Sequence, residues 1–219
     1  MLKKLTEEQQ QAILDSAIEE FGTHGLDGAR IGNIARRAGI SVGVIYKYYE
    51  NKDALVDTCI RHSVDMLKAL IAEAAAEADD LFEACGKLIR TCVSFAGENA
   101  RYIEMYHALT MKRGADAAVF AREIEGPAAE SYTALLEEAR AKGEVRSDLD
   151  PAAFAMFFDN LLMMLHFAYA VDYYKERLAL YKPADGAAGQ AERDEELVRQ
   201  MMLFVRGALG PAAGEGGSR

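Results

Sequence analysis

The segment from Ala38 to Lys52, AGISVGVIYKYYENK, constrains the fold of this chain most strongly. Its valines, isoleucines and tyrosines have high strand propensity and would favour a β-strand in isolation. The spacing of its small residues opposes a strand. Gly39 can end one helix, Ser41 can cap another by accepting from the amide of Val44, and the glycine at position 43 leaves the first turn of that helix without a side chain. We therefore predict two short helices joined by a tight turn.

The sequence on both sides of this segment has a helical pattern. Only 4 of the 219 residues are proline, and alanine, leucine, glutamate and arginine recur throughout, which is typical of an all-α protein. A first helix should begin after the N-cap Thr6 and end at Gly22 or Gly25, and a second should span about 31–38. The sequence ENKDAL should open a long fourth helix. Further helices are expected near residues 80–98, 100–112, 117–142, 151–181 and 192–209.

Two short helices braced by a preceding helix form a helix-turn-helix, a motif that places its second helix in the major groove of DNA. The net charge of the chain is −10, which taken alone argues against a nucleic-acid partner. Residues 28–52 differ, because they contain five basic residues and a single acid, Glu50. A basic patch on an acidic protein is suited to binding phosphates. The five basic residues are Arg30, Arg36, Arg37, Lys47 and Lys52. The expected core residues of the motif are Ile34, Ala35, Ile40 and Ile45.

The segment Ile31–Leu55 resembles the signature of the TetR family of transcriptional regulators, over about the first quarter of the chain. Two positions depart from the family pattern. A threonine often caps the second helix where this chain has Ala29, so Asp27 is the candidate replacement cap. Gly32 stands where a polar or basic contact residue is common. The matching positions are Ile31, Ile34, Ala35, Ala38, Gly39, Ser41, Gly43, Tyr46, Tyr48, Tyr49, Lys52 and Leu55.

The resemblance implies that the second short helix and its flanks face DNA. Val42 and Val44 are candidates to touch a thymine methyl group, and Lys47 is a candidate to reach guanine acceptors. Arg30 is the other candidate base reader, whereas hydroxyl and ammonium groups further along would contact phosphates. Tyr49 is assigned to the core, and Tyr46 is left open between core and DNA. The predicted DNA-binding residues are Arg30, Ser41, Val42, Gly43, Val44, Tyr46, Lys47, Tyr48 and Lys52.

The rest of the chain is expected, from the resemblance, to be a helical domain that dimerises and binds a ligand. Pro151 should lie in the first turn of a helix capped by Asp148 or Asp150. That helix is apolar nearly all round and should be buried on more than one side. With the last helix it would form a four-helix interface in a homodimer. The residues assigned to this interface are Phe157, Leu161, Leu165, Met201, Phe204 and Val205.

Aromatic and methionine side chains in this domain suit an adaptable apolar pocket for a small-molecule effector. Ordinary core packing is the alternative for each of them. His107 and His166 are the polar anchors of the predicted site, and no cationic cluster marks a nucleotide or acyl-CoA head group. The predicted ligand-binding residues are Phe95, Tyr102, Met105, Tyr106, His107, Met111, Phe120, Tyr132, Met163 and His166.

Other classes of function have little support in the sequence. It contains no GxSxG, phosphate loop or HExxH, so neither enzyme activity nor a cofactor is predicted. Cys59 and His62 have the spacing of metal ligands but lack further ligands, so no metal site is predicted. The odd number of cysteines predicts reduced thiols and a cytoplasmic location. No secretory signal is evident, and Asp159 in the most apolar stretch argues against a membrane span.

We predict a helix-turn-helix domain at 1–52, an effector-binding and dimerisation domain at 53–210, and a disordered tail at 211–219. The predicted function is that of a sequence-specific DNA-binding regulator. It would be a repressor that leaves a palindromic double-stranded operator when a small, largely apolar ligand binds. The alternative is a helical interaction protein of the same fold that has lost specific DNA binding.

Overall fold

The computed structural model describes residues 5–111, 117–119, 121–182 and 189–210. All regular elements in these ranges are helices, which confirms the predicted all-α class. Phe120 and the predicted tail lie outside the described residues. The helices are α1 (Glu7–Gly28), α2 (Ile31–Arg37), α3 (Val42–Tyr48), α4 (Lys52–Ala76), α5 (Leu81–Glu98), α6 (Ala100–Thr110), a π-helical turn (Ala121–Glu125), α7 (Gly126–Lys142), α8 (Pro151–Ala170), α9 (Asp172–Tyr181) and α10 (Gln190–Leu209).

The chain folds into two compact units. The first, here called the head, comprises Met1–Asp65 and Asn99–Ile124 and contains α1, α2, α3, α6 and the start of α4. The second, here called the body, comprises Met66–Glu98 and Glu125–Arg219. The head therefore includes a segment from the middle of the chain as well as the amino-terminal residues. The predicted functional boundary between residues 52 and 53 remains a prediction.

Local signals set the ends of α1. The Thr6 hydroxyl accepts from the amide of Gln9 at 3.2 Å, and the Gln9 side chain accepts from the amide of Thr6 at 3.1 Å. This capping box satisfies two amide donors that the helix leaves unpaired. Of the two predicted end points, Gly25 is the one that breaks the helix, with a φ of 66°.

The core of the head forms where α6 packs across α1. A Cβ atom added at Gly22 would lie 2.7 Å from the backbone oxygen of Arg101, so this close approach requires glycine. The face of α1 that carries Ile13 and Phe21 is fully buried. From α6, Ile103, Met105 and Leu109 enter the same core. The head core thus depends on residues that the chain supplies from two separate segments.

The body is built around α5, α7, α8 and α10, whose apolar faces share one core. As predicted, α8 begins with Pro151 in its first turn, and the Asp150 carboxylate accepts from the amides of Ala152 at 3.0 Å and Ala153 at 3.4 Å. By length and composition α8 is the single helix of the described ranges that could cross a membrane, with a mean hydropathy of 1.3. Its buried residues are Pro151, Ala155, Phe158, Leu162, Leu165, Phe167 and Ala170.

The single helix predicted for residues 151–181 is wrong, because the chain breaks at Val171. This residue is extended, with φ −98° and ψ 124°, and separates α8 from α9. Valine, aspartate and tyrosine, which follow one another here, are all weaker helix formers than the alanines and leucines before them. The break turns α9 so that the Tyr174 ring lies 5.2 Å from the Phe167 ring of α8.

Candidate nucleic-acid interface

The turn between α2 and α3 has the predicted geometry. Gly39 has a φ of 69°, a conformation that glycine adopts without the steric cost of a Cβ atom. Ser41 then caps α3, since its hydroxyl accepts from the amide of Val44 at 3.3 Å. Both features follow from local spacing, which is why the sequence predicts them.

α3 buries one residue, Ile45, and exposes most of its remaining surface. Val42 is 40% exposed and Tyr46 is 50% exposed, so Tyr46 lies outside the core. A Cβ atom at Gly43 would meet nothing closer than the Ser41 hydroxyl at 3.9 Å, so packing within the protein does not require glycine here. The first turn of α3 is therefore an open surface that a partner can approach closely.

The end of α3 holds its polar groups in place. The Tyr48 hydroxyl accepts from the amide of Leu5 at 2.9 Å, which ties the start of the described chain to this helix. The Lys47 ammonium lies 5.3 Å from the centre of the Tyr48 ring, a cation–π distance. Tyr49 instead packs against the core of the head, as predicted, and burial raises its pKa. Lys47 and Tyr48 are thus exposed neighbours at the carboxyl end of α3.

Lys52 has structural partners. Its ammonium group donates to the backbone oxygens of Leu26 at 2.7 Å, Asp27 at 3.3 Å and Ala29 at 3.4 Å. These carbonyls lie at the carboxyl end of α1, where cations are favoured by the helix dipole. The Lys52 ammonium therefore has three backbone acceptors within the head, although the sequence predicts that it contacts a DNA phosphate.

The cap of α2 differs from the expectation. Asp27 lies within α1 and does not cap α2, and the N-cap residue, Arg30, has no capping side-chain bond. Instead, the Glu20 carboxylate of α1 accepts from the amide of Arg30 at 3.1 Å and from the side-chain amide of Asn33 at 2.9 Å. Sequence reasoning missed Glu20. Its position in the sequence could have identified it as a buried acid, because helical spacing places Glu20 on the buried face of α1 with Ile13 and Phe21.

The described ligand-binding candidates are divided between the two units. Tyr102, Met105, Tyr106, His107 and Met111 belong to the head, where Met105 is buried in the core and Met111 is 67% exposed. The body holds Phe95, Tyr132, Met163 and His166.

Within the body, the rings of Phe95 and His166 meet edge to face with centroids 6.3 Å apart. The Tyr132 ring similarly meets Phe158 at 5.7 Å. Burial lowers the pKa of His166 to about 4, so its ring is neutral at pH 7. Burial, together with the nearby Glu125 carboxylate, raises the pKa of Asp159 to about 6. Both groups lie on α8, and the environment of each disfavours its charged form.

The body also contains a cavity of about 1200 Å³ lined by α5, α8, α9 and α10. Phe82, Leu178, Val198 and Met202 provide apolar lining. Basic and acidic side chains mix at its edges, as where Arg90 lies 3.6 Å from Glu195. None of the described ligand-binding candidates lines this cavity.

The three cysteines are buried and unbridged. Burial raises the pKa of Cys59 to about 12 and that of Cys85 to about 12, and it also raises the pKa of Cys92. Because the thiolate is the reactive and metal-binding form, these side chains act as small apolar core residues.

The geometry of α2, the Gly39 turn and α3 defines a helix-turn-helix protein. The family model described as "Bacterial regulatory proteins, tetR family" matches residues 13–59. Residues 13–59 therefore resemble the DNA-binding region of TetR-family transcriptional regulators.

Curated relatives match over the same region. The uncharacterized HTH-type transcriptional regulator YvdT of Bacillus subtilis (strain 168) is 34% identical over 71 residues, which span 31% of this chain and 37% of YvdT. The HTH-type transcriptional regulator BetI of Burkholderia thailandensis is 32% identical over 68 residues, spanning 31% of this chain and 35% of BetI. The match thus covers little more than a third of each relative.

Solved structures extend the similarity of fold to most of the chain. The transcriptional regulator FadR from Bacillus subtilis, in complex with stearoyl-CoA, superposes with a TM-score of 0.72. The superposition covers 90% of this chain and 97% of FadR, at 15% sequence identity. At that identity the likeness concerns the fold alone.

Proposed function

We propose that this protein is a DNA-binding transcriptional regulator that acts as a homodimer on a palindromic operator and is released by a small, largely apolar effector. The observation that carries this proposal is the exposed, capped α3, with an open first turn at Gly43 and exposed polar groups near its end. The family match over residues 13–59 and the names of the curated relatives support a regulator rather than an enzyme.

In this proposal α3 enters the major groove. Val42 and Val44 contact base edges, while Tyr46, Lys47 and Tyr48 contact the backbone or the groove. Arg30, exposed at the start of α2, is the further candidate reader. We leave Lys52 out of the phosphate contacts, because its ammonium already binds the end of α1.

The test is a titration of the full-length chain with a palindromic site from the promoter next to its own gene, at several salt concentrations. The double variant Arg30→Ala plus Lys47→Ala should weaken binding by at least tenfold. It should also lower the salt slope by about 0.9 for each of the two side chains that contacts a phosphate. Lys68→Ala removes one exposed lysine of the body and is the control for loss of positive charge outside α2 and α3.

The possible outcomes separate the two candidate functions. Specific, salt-dependent binding that the double variant loses and Lys68→Ala keeps would support a regulator. Binding that is equal for the operator and for scrambled DNA would contradict sequence-specific recognition. Lack of binding to every such site would favour the alternative, a helical interaction protein.

The homodimer is proposed from the outer faces of α8 and α10. Phe157 is 52% exposed on α8, and Phe204 is 64% exposed on α10. In a dimer, the faces of α8 and α10 of one chain would pack against the same faces of its partner and form a four-helix interface. Two of the residues assigned to the interface, Leu165 and Val205, are instead buried in the core of the body itself. A dimer would place two copies of α3 about one DNA turn apart, roughly 34–36 Å.

The effector is proposed to bind in the body. FadR was solved with stearoyl-CoA, which makes long acyl groups the first class to test. The cavity lined by Phe82, Leu178 and Met202 offers apolar surface for an acyl chain. Its mixed charges give little preference for the anionic head of coenzyme A. The neutral ring of His166 beside Phe95 offers a second place, suited to an uncharged polar group.

Thermal unfolding with stearoyl-CoA, stearate and free coenzyme A distinguishes these possibilities, because a ligand that binds the native state raises its Tm. Met202→Arg should abolish the shift if the ligand occupies the cavity. His166→Phe should abolish it if the ligand contacts the Phe95 and His166 rings. A shift with coenzyme A alone would contradict a largely apolar effector.

A further inference from the structure

We propose that Glu20 is a positioning residue for the nucleic-acid interface: from inside the head it caps α2 and, through Asn33, orients the exposed guanidinium of Arg36. This inference rests on the proposed function and adds Arg36 to the DNA-contacting surface. It assigns a role to a buried acid in a region whose partner would be anionic.

The first step is the cap. In a capping box, an acidic or amide side chain three residues into the helix reaches back to the N-cap amide. In α2 that position is Asn33, and the N-cap amide of Arg30 bonds instead to Glu20 of α1 at 3.1 Å. The same Glu20 oxygen accepts from the Asn33 side chain at 2.9 Å. Glu20 therefore fixes the start of α2 relative to α1.

The second step is the orientation of Asn33. A carboxylate only accepts hydrogen bonds, so the amino group of the Asn33 amide must face Glu20. Its carbonyl oxygen then points away and accepts from a guanidinium nitrogen of Arg36 at 3.3 Å. Arg36 is exposed near the end of α2. A buried charge thus determines where a surface cation is held.

The third step is the electrostatic state of Glu20, which is 1% exposed. Burial opposes its charge, but the hydrogen bonds from Asn33 and Arg30, with His24 and Arg37 nearby, outweigh this and lower the pKa of Glu20. Its second oxygen has no hydrogen-bond partner and lies 3.9 Å from the His24 ring. A buried carboxylate with one unsatisfied oxygen is costly, and the core of α1 could be filled by an apolar side chain without that cost.

The direction in which a Glu20 substitution changes DNA affinity distinguishes a positioning role from a purely electrostatic effect of the Glu20 charge. Removing a negative charge near DNA should tighten binding through long-range electrostatics. Loss of a positioning residue should weaken binding, because α2 and Arg36 lose their orientation. Glu20→Leu therefore gives opposite results under the two explanations.

The experiment measures operator affinity, its salt slope and stability in urea for full-length variants. Glu20→Leu and Asn33→Leu should each weaken binding on the order of tenfold and lower the salt slope by about one. Glu20→Gln keeps an acceptor oxygen for Arg30 and Asn33 and should retain most of the affinity. Glu8→Gln removes an exposed charge from α1 and is the matched control.

Arg36→Ala completes the test. If Glu20 acts through Arg36, the salt slope of the Glu20→Leu plus Arg36→Ala variant should equal that of Arg36→Ala alone. The proposal would be overturned if the changes in salt slope caused by Glu20→Leu and Arg36→Ala added up in the double variant, or if Glu20→Leu bound the operator more tightly. Should Glu20→Leu not fold, Asn33→Leu carries the same comparison, since Asn33 is only half-buried. Failure of the wild-type chain to bind any operator would overturn the proposed function instead.

Discussion

Lys47 and Lys52 lie on the same stretch of chain, yet the structure gives their ammonium groups different surroundings. Lys47 extends over the exposed ring of Tyr48, whereas Lys52 donates to Leu26, Asp27 and Ala29 at the end of α1. Their substitution should therefore separate stability from DNA binding.

We expect Lys52→Met to lower the free energy of unfolding by about 1.5–3 kcal/mol, because it removes charge-assisted hydrogen bonds to backbone carbonyls. Lys47→Met should change it by less than about 0.5 kcal/mol and mainly weaken DNA binding. Urea unfolding at pH 7 measures the difference. Equal stability of the two variants would show that the Lys52 contacts contribute little in solution.

For single residues, the sequence predicts contacts between residues that are close together along the chain. The caps by Thr6, Ser41 and Asp150 were predictable because donor and acceptor lie within three residues of each other. The bonds from Lys52 to Leu26 and from Arg30 to Glu20 join residues 26 and 10 positions apart. No local spacing rule relates such residues, since the packing of separate helices brings them together.

Helix α8 carries two groups with opposite dependence on pH. Asp159 has a pKa raised by burial to about 6, so its stabilising contribution is complete below its unfolded pKa near 4 and is lost as the pH rises through 6. His166 has a pKa lowered by burial to about 4, so its contribution is complete above about 6.5 and is lost as the pH falls towards 4. Between pH 4 and 6.5 the two contributions offset each other.

Single substitutions should expose each contribution. At pH 7 the Asp159→Asn variant should be more stable than the wild type by about 1–2 kcal/mol, a difference that the partial exposure of Asp159 limits. At pH 4 the two proteins should be about equally stable. His166→Gln should gain relative stability as the pH falls from 6.5 to 4. Urea unfolding at closely spaced pH values tests both slopes. Parallel curves for the wild type and both variants would contradict these assignments.

The outer faces of α8 and α10 present large apolar side chains without a cover inside the described chain. If they form the proposed dimer, Phe204→Asp should produce a monomer, because a carboxylate in the interface would be buried without a partner. Sedimentation velocity measures the assembly state, and circular dichroism checks that helicity is kept. Leu180→Asp, at an 81% exposed position on α9, is the control. A dimeric Phe204→Asp variant would place the interface elsewhere.

Periodicity predicted the helices better than it predicted their ends and packing. It indicated that α8 is apolar on several sides, but not the extended Val171 that ends it. The break brings the Tyr174 ring to 5.2 Å from the Phe167 ring, and periodicity does not predict such a contact between two helices. The ligand candidates show the same limit, since composition could not assign Tyr102 and His107 to the head and Phe95 and His166 to the body.

The head is not formed by the amino-terminal residues alone, because α6, from the middle of the chain, belongs to it. A fragment of residues 1–65 lacks Ile103, Met105 and Leu109, which help to fill the head core. We expect this fragment to be largely unfolded at 25 °C, since burying an aliphatic side chain contributes about 1.5–3 kcal/mol. Circular dichroism and proteolysis test this, with the full-length chain as control. Cooperative unfolding of the fragment would contradict it.

The two-part construction of the head also has a consequence for biosynthesis. Chains are made from the amino terminus, and domains generally fold as units once their residues are available. α1 leaves the ribosome well before α6, so the apolar face of Ile13 and Phe21 has no complete partner until the segment Asn99–Ile124 has been translated. We therefore expect the nascent helix-turn-helix to remain a client of ribosome-associated chaperones until about half of the protein has been synthesised.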